Sequence, residues 1–73
     1  MRRVVRRIAV HDLLTVDGST IHLCVVEMVD GIVVNYYKFD RELPYTEWLG
    51  GKAVLNYDDD NNLRVYLNGT LLE

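Results

Sequence analysis

The stretch TIHLCVVEMVDGIVVNYYKF, from Thr20 to Phe39, contains two apolar runs separated by Asp30-Gly31. Valine is frequent in both runs, each run contains an isoleucine, and the second contains two tyrosines; these residue types are enriched in β-strands. Asp-Gly is a preferred sequence for a two-residue hairpin turn, because both turn positions require a positive φ angle. The stretch therefore predicts two antiparallel strands, Thr20 to Val29 and Ile32 to Phe39.

The preceding residues add a further strand to this hairpin. Arg3 to Val16 is rich in strand-forming residues, and a bend or bulge is expected at His11-Asp12. Asp17-Gly18 predicts another two-residue turn. A turn of that length places His11 opposite Cys24 across the hairpin.

The segment DRELPYTEWLGG, residues 40–51, interrupts the strand pattern. Pro44 suits the first turn of a helix and Gly50-Gly51 ends it, which predicts a short helix near residues 44–49. The apolar side chains of this segment would close one end of the core: Leu43, Trp48 and Leu49.

A second hairpin is predicted after the helix, with strands from Lys52 to Tyr57 and from Leu63 to Leu67. The residues between them, DDDNN, could form either a calcium loop or a turn. An EF-hand loop that began at Asp58 would need glycine at position 6 and a carboxylate at position 12. Leucine and glycine occupy those positions. The sequence therefore predicts a solvated turn, and Asn68-Gly69 turns a very short final strand back.

These assignments give the expected fold class: mainly all-β, an antiparallel meander of five to six strands that forms a small barrel or sandwich. The 73 residues suit a single small β domain, 1–73. Cys24 is the only cysteine, which excludes an intrachain disulfide and favours a cytoplasmic location. No apolar run approaches the roughly 18 residues of a membrane helix, so no membrane contact is predicted.

The N-terminal arginine strip, RRVVRR, carries half of the basic residues of the chain: Arg2, Arg3, Arg6 and Arg7. The residues that follow contain four basic and eleven acidic side chains. Such a dipolar chain suits self-association or an acidic partner, and arginines on an edge strand also discourage pairing with stray chains. Phosphate contact is the alternative, with Lys52 as a further contact, and it predicts a nucleic-acid-binding domain.

The expected register brings His11, His22 and Cys24 onto one patch. One thiol and two imidazoles could bind zinc or form a Cys–His nucleophile pair. No fourth ligand or oxyanion device accompanies them, and a one-residue bulge would separate them. A metal or thiol site is therefore the weaker alternative, and no metal, cofactor or catalytic residue is predicted.

Both sides of the middle strands carry apolar residues, whereas a half-exposed antiparallel sheet alternates between apolar and polar. This pattern predicts that one side is covered by a second subunit or another protein. The candidate interface residues are Cys24, Val26, Met28, Val33, Tyr37 and Phe39. The leading hypothesis is a non-catalytic β module that acts as a homodimer or through protein–protein interaction.

Overall fold

The computed structural model describes residues 4–40 and 46–73, and within these residues the chain is all-β with no helix. One sheet contains β1 (Val5–Leu14), β2 (Thr20–Val29), β3 (Ile32–Lys38), β4 (Glu47–Trp48), β5 (Lys52–Tyr57), β6 (Leu63–Leu67) and β7 (Thr70–Leu71). Its strand order is β3-β2-β1-β5-β6-β7, and β4 also pairs with β1. The all-β class is confirmed. In the same part of the chain, no helix is long and apolar enough to cross a membrane.

The expected meander is correct for β1, β2 and β3, which pair in antiparallel order. It is wrong beyond β3, because β4 and β5 both pair with β1 in parallel. The chain leaves β3 on one side of β2 and re-enters the sheet on the far side of β1. The described strands consequently form one mixed sheet that stays open between β3 and β7, so neither the predicted barrel nor a sandwich of two sheets is formed.

The short helix predicted near residues 44–49 is not seen in the described part of that segment, residues 46–49. Glu47 and Trp48 form β4 and pair with Ile8 and Ala9 of β1. The amides of residues 49 and 50 both donate to the Ala9 carbonyl oxygen, at 2.9 and 3.2 Å. A helix this short is marginal by itself, and pairing with the open edge of β1 satisfies the same backbone groups. Leu43 and Pro44 lie outside the described residues.

The bulge expected at His11-Asp12 is confirmed. Both amides donate to the carbonyl oxygen of Gly51, at 3.0 and 3.1 Å. Opposite the bulge, Gly50 and Gly51 have φ angles of 67° and 65°, a region that glycine enters without a steric cost. These two glycines bend the chain between β4 and β5, so both strands can follow the same edge of β1.

Two of the three predicted two-residue turns are confirmed. Asp30-Gly31 joins the paired residues Val29 and Ile32, with φ angles of 52° and 77°. Asn68-Gly69 has φ angles of 52° and 82° and reverses the chain between β6 and β7. Positive φ at both central positions is the property for which Asp-Gly and Asn-Gly are selected.

The turn between β1 and β2 is one residue longer than predicted. The Thr15 amide donates to the Ser19 carbonyl oxygen at 2.8 Å, and the Gly18 amide donates to the Thr15 carbonyl oxygen at 3.0 Å. Three residues therefore form the loop, with Gly18 in the left-handed region at φ 88°. The Asp17 carboxylate accepts hydrogen bonds from the Thr15 hydroxyl and the Ser19 amide, which stabilises this longer turn.

The extra loop residue changes the register of the first hairpin. Cys24 pairs with Val10, and His22 pairs with Asp12. The placement of His11 opposite Cys24 is therefore wrong.

The core lies on one face of the curled sheet, here called the inner face. Because the sheet curls, β3 and β6 approach each other although they are not neighbours in strand order. Buried core residues come from five strands: Ile8, Val10, Leu13, Cys24, Val26, Met28, Val33, Ala53, Leu55 and Val65. Burial of each large side chain of this kind contributes about 1.5–3 kcal/mol.

The opposite, outer face is also buried at its centre. Ala9 and Val25 pair across β1 and β2, and their relative exposures in the single chain are 3% and 0%. The prediction that both faces of the middle strands are apolar is therefore correct for these positions. The chain itself covers them, so no second subunit is needed there.

Leu13 provides a test of the core. It is fully buried, so we expect Leu13→Ala to lower the free energy of unfolding by about 2–5 kcal/mol. Val16→Ala is the matched control because Val16 is 47% exposed, and its effect should stay within about 0.5 kcal/mol. Urea denaturation of both variants measures the difference, and equal effects would contradict the assigned core.

Candidate binding surface

Three aromatic rings meet on the outer face beside β1. The Trp48 ring contacts the His11 ring with centroids 4.8 Å apart and an interplanar angle of 85°. It contacts the Phe39 ring at 6.2 Å and 83°. Edge-to-face contacts of this kind stabilise aromatic pairs beyond their buried area. We call this cluster, together with Leu23 and Leu49, the Trp48 surface.

Trp48 is 54% exposed although its backbone is fixed by pairing with Ala9. The two neighbouring leucines, Leu23 and Leu49, are 39% and 37% exposed. A contiguous group of large apolar side chains on a water-facing surface marks an interaction site more often than an isolated exposed side chain does. The Trp48 surface is therefore the strongest candidate site among the described residues.

Leu23 adopts an unusual backbone conformation beside these rings. Its φ angle is 55°, which is uncommon for a residue that is not glycine and costs roughly 1–2 kcal/mol. Its carbonyl oxygen accepts a hydrogen bond from the Phe39 amide at 2.9 Å. This kink interrupts the alternation of β2, because Ile21 beyond it packs against the core while Leu23 is exposed. Strained backbone is concentrated at functional sites.

A polar network borders the Trp48 surface along the same face. Glu27 accepts hydrogen bonds from Arg7 Nε at 2.8 Å and from the Tyr37 hydroxyl at 3.2 Å. Asn35 Nδ2 lies 3.5 Å from the same carboxylate. The hydrogen bond from Arg7 holds the pKa of Glu27 below its usual range. Burial, followed by the neighbouring Glu27, raises the pKa of Tyr37.

The opposite border contains the paired residues Asp12 and His22. His22 Nδ1 contacts the Asp12 carboxylate, and both side chains are solvent-accessible. Lys52 pairs with Asp12 in the sheet, from the other side of β1. The Trp48 surface thus has an apolar centre between two groups of polar side chains.

His11, His22 and Cys24 are not brought together. Cys24 is fully buried in the core, whereas both histidines are exposed. Burial raises the pKa of the Cys24 thiol to about 11, so it stays protonated at neutral pH and is a poor nucleophile or ligand. Within residues 4–40 and 46–73, no group of three His, Cys, Asp or Glu side chains could hold a metal ion.

The described arginines of the N-terminal strip contact acidic residues of the same chain. Arg6 forms an ion pair with Glu47 at 2.9 Å, and Arg7 forms one with Glu27 at 2.8 Å. The acidic residues that follow the arginine strip therefore supply partners for both described arginines. Arg2 and Arg3 lie outside the described residues.

Four candidate interface residues, Cys24, Val26, Met28 and Val33, are at most 7% exposed and pack in the core. The other two, Tyr37 and Phe39, are partly exposed on the outer face. Sequence reasoning assigned Trp48 and Leu49 to the core and missed their exposure. The glycine pair Gly50-Gly51 was the available signal, because it permits the bend that follows β4 at the edge of β1.

A shallow cleft of about 470 Å³ is a second candidate site. Its lining residues are Val4, Arg6, Met28, Asp30, Gly31, Arg64 and Glu73. The two guanidinium groups that line it are already paired, with Glu47 and Asp58 respectively. Neither guanidinium group is therefore free to bind a ligand. The Trp48 surface is the stronger candidate because it exposes apolar area.

The Asp-rich loop forms a turn that repeats the geometry of the first hairpin. The Asp58 amide donates to the Asn62 carbonyl oxygen at 2.9 Å, and the Asn61 amide donates to the Asp58 carbonyl oxygen at 3.0 Å. Asn61 takes the left-handed conformation at φ 67°. The Asp58 carboxylate accepts hydrogen bonds from two loop amides and from Arg64 Nε at 2.8 Å. These donors use the oxygen atoms that a calcium ion would need.

Asp58 tests this account of the loop. Asp58→Ala removes an acceptor that several donors share, so we expect a lower urea midpoint than in the wild type. Asp59→Ala, which changes an exposed position in the same loop, should leave the midpoint unchanged. A midpoint that rises on addition of calcium in the wild type and not in Asp58→Ala would instead indicate a metal site.

Glu27 tests the polar network through its pH dependence. Because the pKa of Glu27 is lowered from an ordinary value of 4.5, its carboxylate stabilises the folded state above that pH. This contribution is lost as the pH falls through the depressed value. Glu27→Gln should therefore be less stable than the wild type at neutral pH, and the difference should shrink in acid.

Urea denaturation between neutral and acidic pH measures this trend, with Asp59→Asn as the control carboxylate. A Glu27→Gln difference that stays constant with pH would contradict the network.

The three comparisons with known proteins, against family models, curated sequences and solved structures, found no match to this chain. Exposed aromatic rings on a fixed backbone, with polar side chains on two sides, are suited to binding. The described residues bring together no nucleophile, general base and oxyanion-stabilising group of the kind that covalent catalysis requires.

Proposed function

We propose that this chain is a non-catalytic binding module that recognises another protein through the Trp48 surface. The observation that carries the proposal is that Trp48 is 54% exposed while its backbone is held against β1. Tryptophan is among the residue types most enriched at positions that dominate protein–protein binding energies. A fixed backbone also reduces the conformational entropy that binding would cost.

The borders of the Trp48 surface support the same function. Arg7 and Glu27 lie along one side, and Asp12 and His22 lie along the other. Protein interfaces commonly have an apolar centre surrounded by polar groups that exclude water from it. The ion pair on one side is already satisfied within the chain, so a partner need not neutralise it.

Self-association, in this proposal, uses the Trp48 surface and not the middle strands. Val26 is buried in the core, and Val25 on the outer face is fully covered by the chain itself. A second copy could contact neither side chain without rearranging the sheet. A homodimer would therefore have to form around Trp48, Leu23 and Leu49.

Nucleic-acid binding receives less support from the described residues. Arg6 and Arg7 each contact a carboxylate of the same chain. Phosphate contact would have to compete with these ion pairs, and the acidic remainder of the chain would repel the phosphate backbone.

Trp48→Ser tests the proposed function. A central tryptophan typically contributes 2 kcal/mol or more to an interface, so the substitution should weaken partner binding by about 30-fold or more. Tyr57→Ser is the matched control because Tyr57 is 52% exposed on another strand. Candidate partners are recovered with the wild type as bait, purified, and titrated against all three proteins by calorimetry. Sedimentation velocity of the same proteins tests whether a second copy is the partner.

A purified partner that binds the wild type and Tyr57→Ser equally well, and Trp48→Ser much more weakly, supports the proposal. Equal binding by wild type and Trp48→Ser would show that another surface is used. Both variants must retain the wild-type melting transition, so that a loss of binding is not a loss of folding.

A further inference from the structure

We propose that the Trp48 surface binds a cationic side chain of its protein partner, a lysine, a methylated lysine or an arginine. The cation would lie in the corner formed by the Trp48 and Phe39 rings. This inference names the chemistry of the partner and rests on the proposed function. Its carrying observation is the nearly perpendicular arrangement of two accessible aromatic rings.

The ring geometry suits an organic cation. The Trp48 and Phe39 centroids are 6.2 Å apart and their planes meet at 83°, so a group in the corner can approach both rings. A cation within about 6 Å of a ring centroid is attracted by the negative potential of the ring face, and tryptophan attracts it most strongly. Two rings at right angles can surround a methylated ammonium group better than one flat ring.

The third ring supports the orientation of the indole. His11 contacts Trp48 at 4.8 Å and 85°, and the bulge at His11-Asp12 fixes its position. Gly50 lies two residues after Trp48, and a Cβ atom built on it would lie 3.7 Å from both the His11 and Trp48 rings. The indole is thus held by side-chain contacts as well as by β4, and a preorganised ring loses little freedom when it binds.

The charge distribution favours a cation over an anion. The chain has a net charge of −3, and the residues after the arginine strip contain four basic and eleven acidic side chains. A net negative charge attracts a basic partner and repels an acidic one.

The two described arginines of the N-terminal strip are paired with carboxylates of the chain. Arg6 is paired with Glu47, and Arg7 is paired with Glu27. Both guanidinium groups are held by carboxylates in the strands, so neither supplies an internal cation to the aromatic rings. Within residues 4–40 and 46–73, neither arginine of the N-terminal strip therefore competes with a cation from a partner.

Trp48 is the only tryptophan in the chain, so its fluorescence reports directly on the corner. The probes are Nε-trimethyl-lysine amide, arginine amide and the neutral isostere of the first, in which carbon replaces the quaternary nitrogen. We expect at least one cationic probe to change the fluorescence with a dissociation constant on the order of millimolar. The neutral isostere should bind more weakly than the cationic probe, by about fivefold or more.

Phe39→Leu removes one wall of the corner and keeps the fluorescent reporter. It should weaken binding of the cationic probe by about two- to fivefold. Tyr57→Leu is the matched control and should bind like the wild type, since Tyr57 lies on β5, outside the Trp48 surface. The isostere comparison uses the wild type alone, so it stays decisive even if Phe39→Leu does not fold.

Tighter binding of a cation than of the isostere, reduced in Phe39→Leu, supports the inference. Equal binding of cation and isostere, or no fluorescence response to either cation, overturns it. If the inference fails in this way but Trp48→Ser binds the protein partner much more weakly than the wild type does, the proposed function is still supported. If Trp48→Ser retains its partner, the proposed function fails and the inference fails with it.

Discussion

Backbone hydrogen bonding along both edges of β1 is the constraint on which the remaining structure depends. β2 pairs with β1 over its whole length, whereas β5 reaches only the last three residues of the opposite edge. The gap at Ile8 and Ala9 is filled by β4, a strand of two residues. Trp48 is therefore on the surface because the edge of β1 requires a partner at that point. Its exposure follows from backbone pairing and not from a failure to pack.

The same position of β1 explains why three consecutive residues, Ile8, Ala9 and Val10, are all buried. A central strand that is covered on both faces needs apolar side chains in both directions, and the inner core covers only one of them. On the outer face, apolar cover gives way to a network of charged groups centred on Glu27. The chain pairs its described arginines internally and leaves aromatic rings exposed. Recognition of a partner through aromatic contacts is consistent with this arrangement of paired charges and exposed rings.

Local sequence predicted the elements whose geometry is set locally. Asp30-Gly31 and Asn68-Gly69 have the φ angles that their residue types prefer, and the bulge at His11-Asp12 lies where the strand pattern weakened. The first turn was misjudged because Asp-Gly also fits a three-residue loop in which only glycine is left-handed. The Asp17 side chain favours that loop by bonding to residues on either side of it. Because the turn is one residue longer than predicted, the residue opposite Cys24 is Val10 and not His11.

The candidate site was harder to predict because it depends on contacts between distant parts of the chain. Nothing within residues 44–49 indicates that Glu47 and Trp48 pair with a strand 39 residues earlier. Short segments have weak preferences of their own, so the open edge of β1 determined their structure. The aromatic cluster likewise joins His11, Phe39 and Trp48 from three strands or strand ends. The sequence indicated roles for these three side chains separately, but the strand topology determines which of them are in contact.

The two hairpin tips, residues 15–19 and 58–62, close with the same pair of backbone hydrogen bonds. One uses glycine and the other asparagine as its left-handed residue. Because β1 and β5 run parallel, both tips emerge from the same end of the sheet. Each tip is anchored by an aspartate that caps its own loop. A peptide grafted into either position would start from matching backbone geometry, so the sheet is a scaffold for displaying two loops side by side.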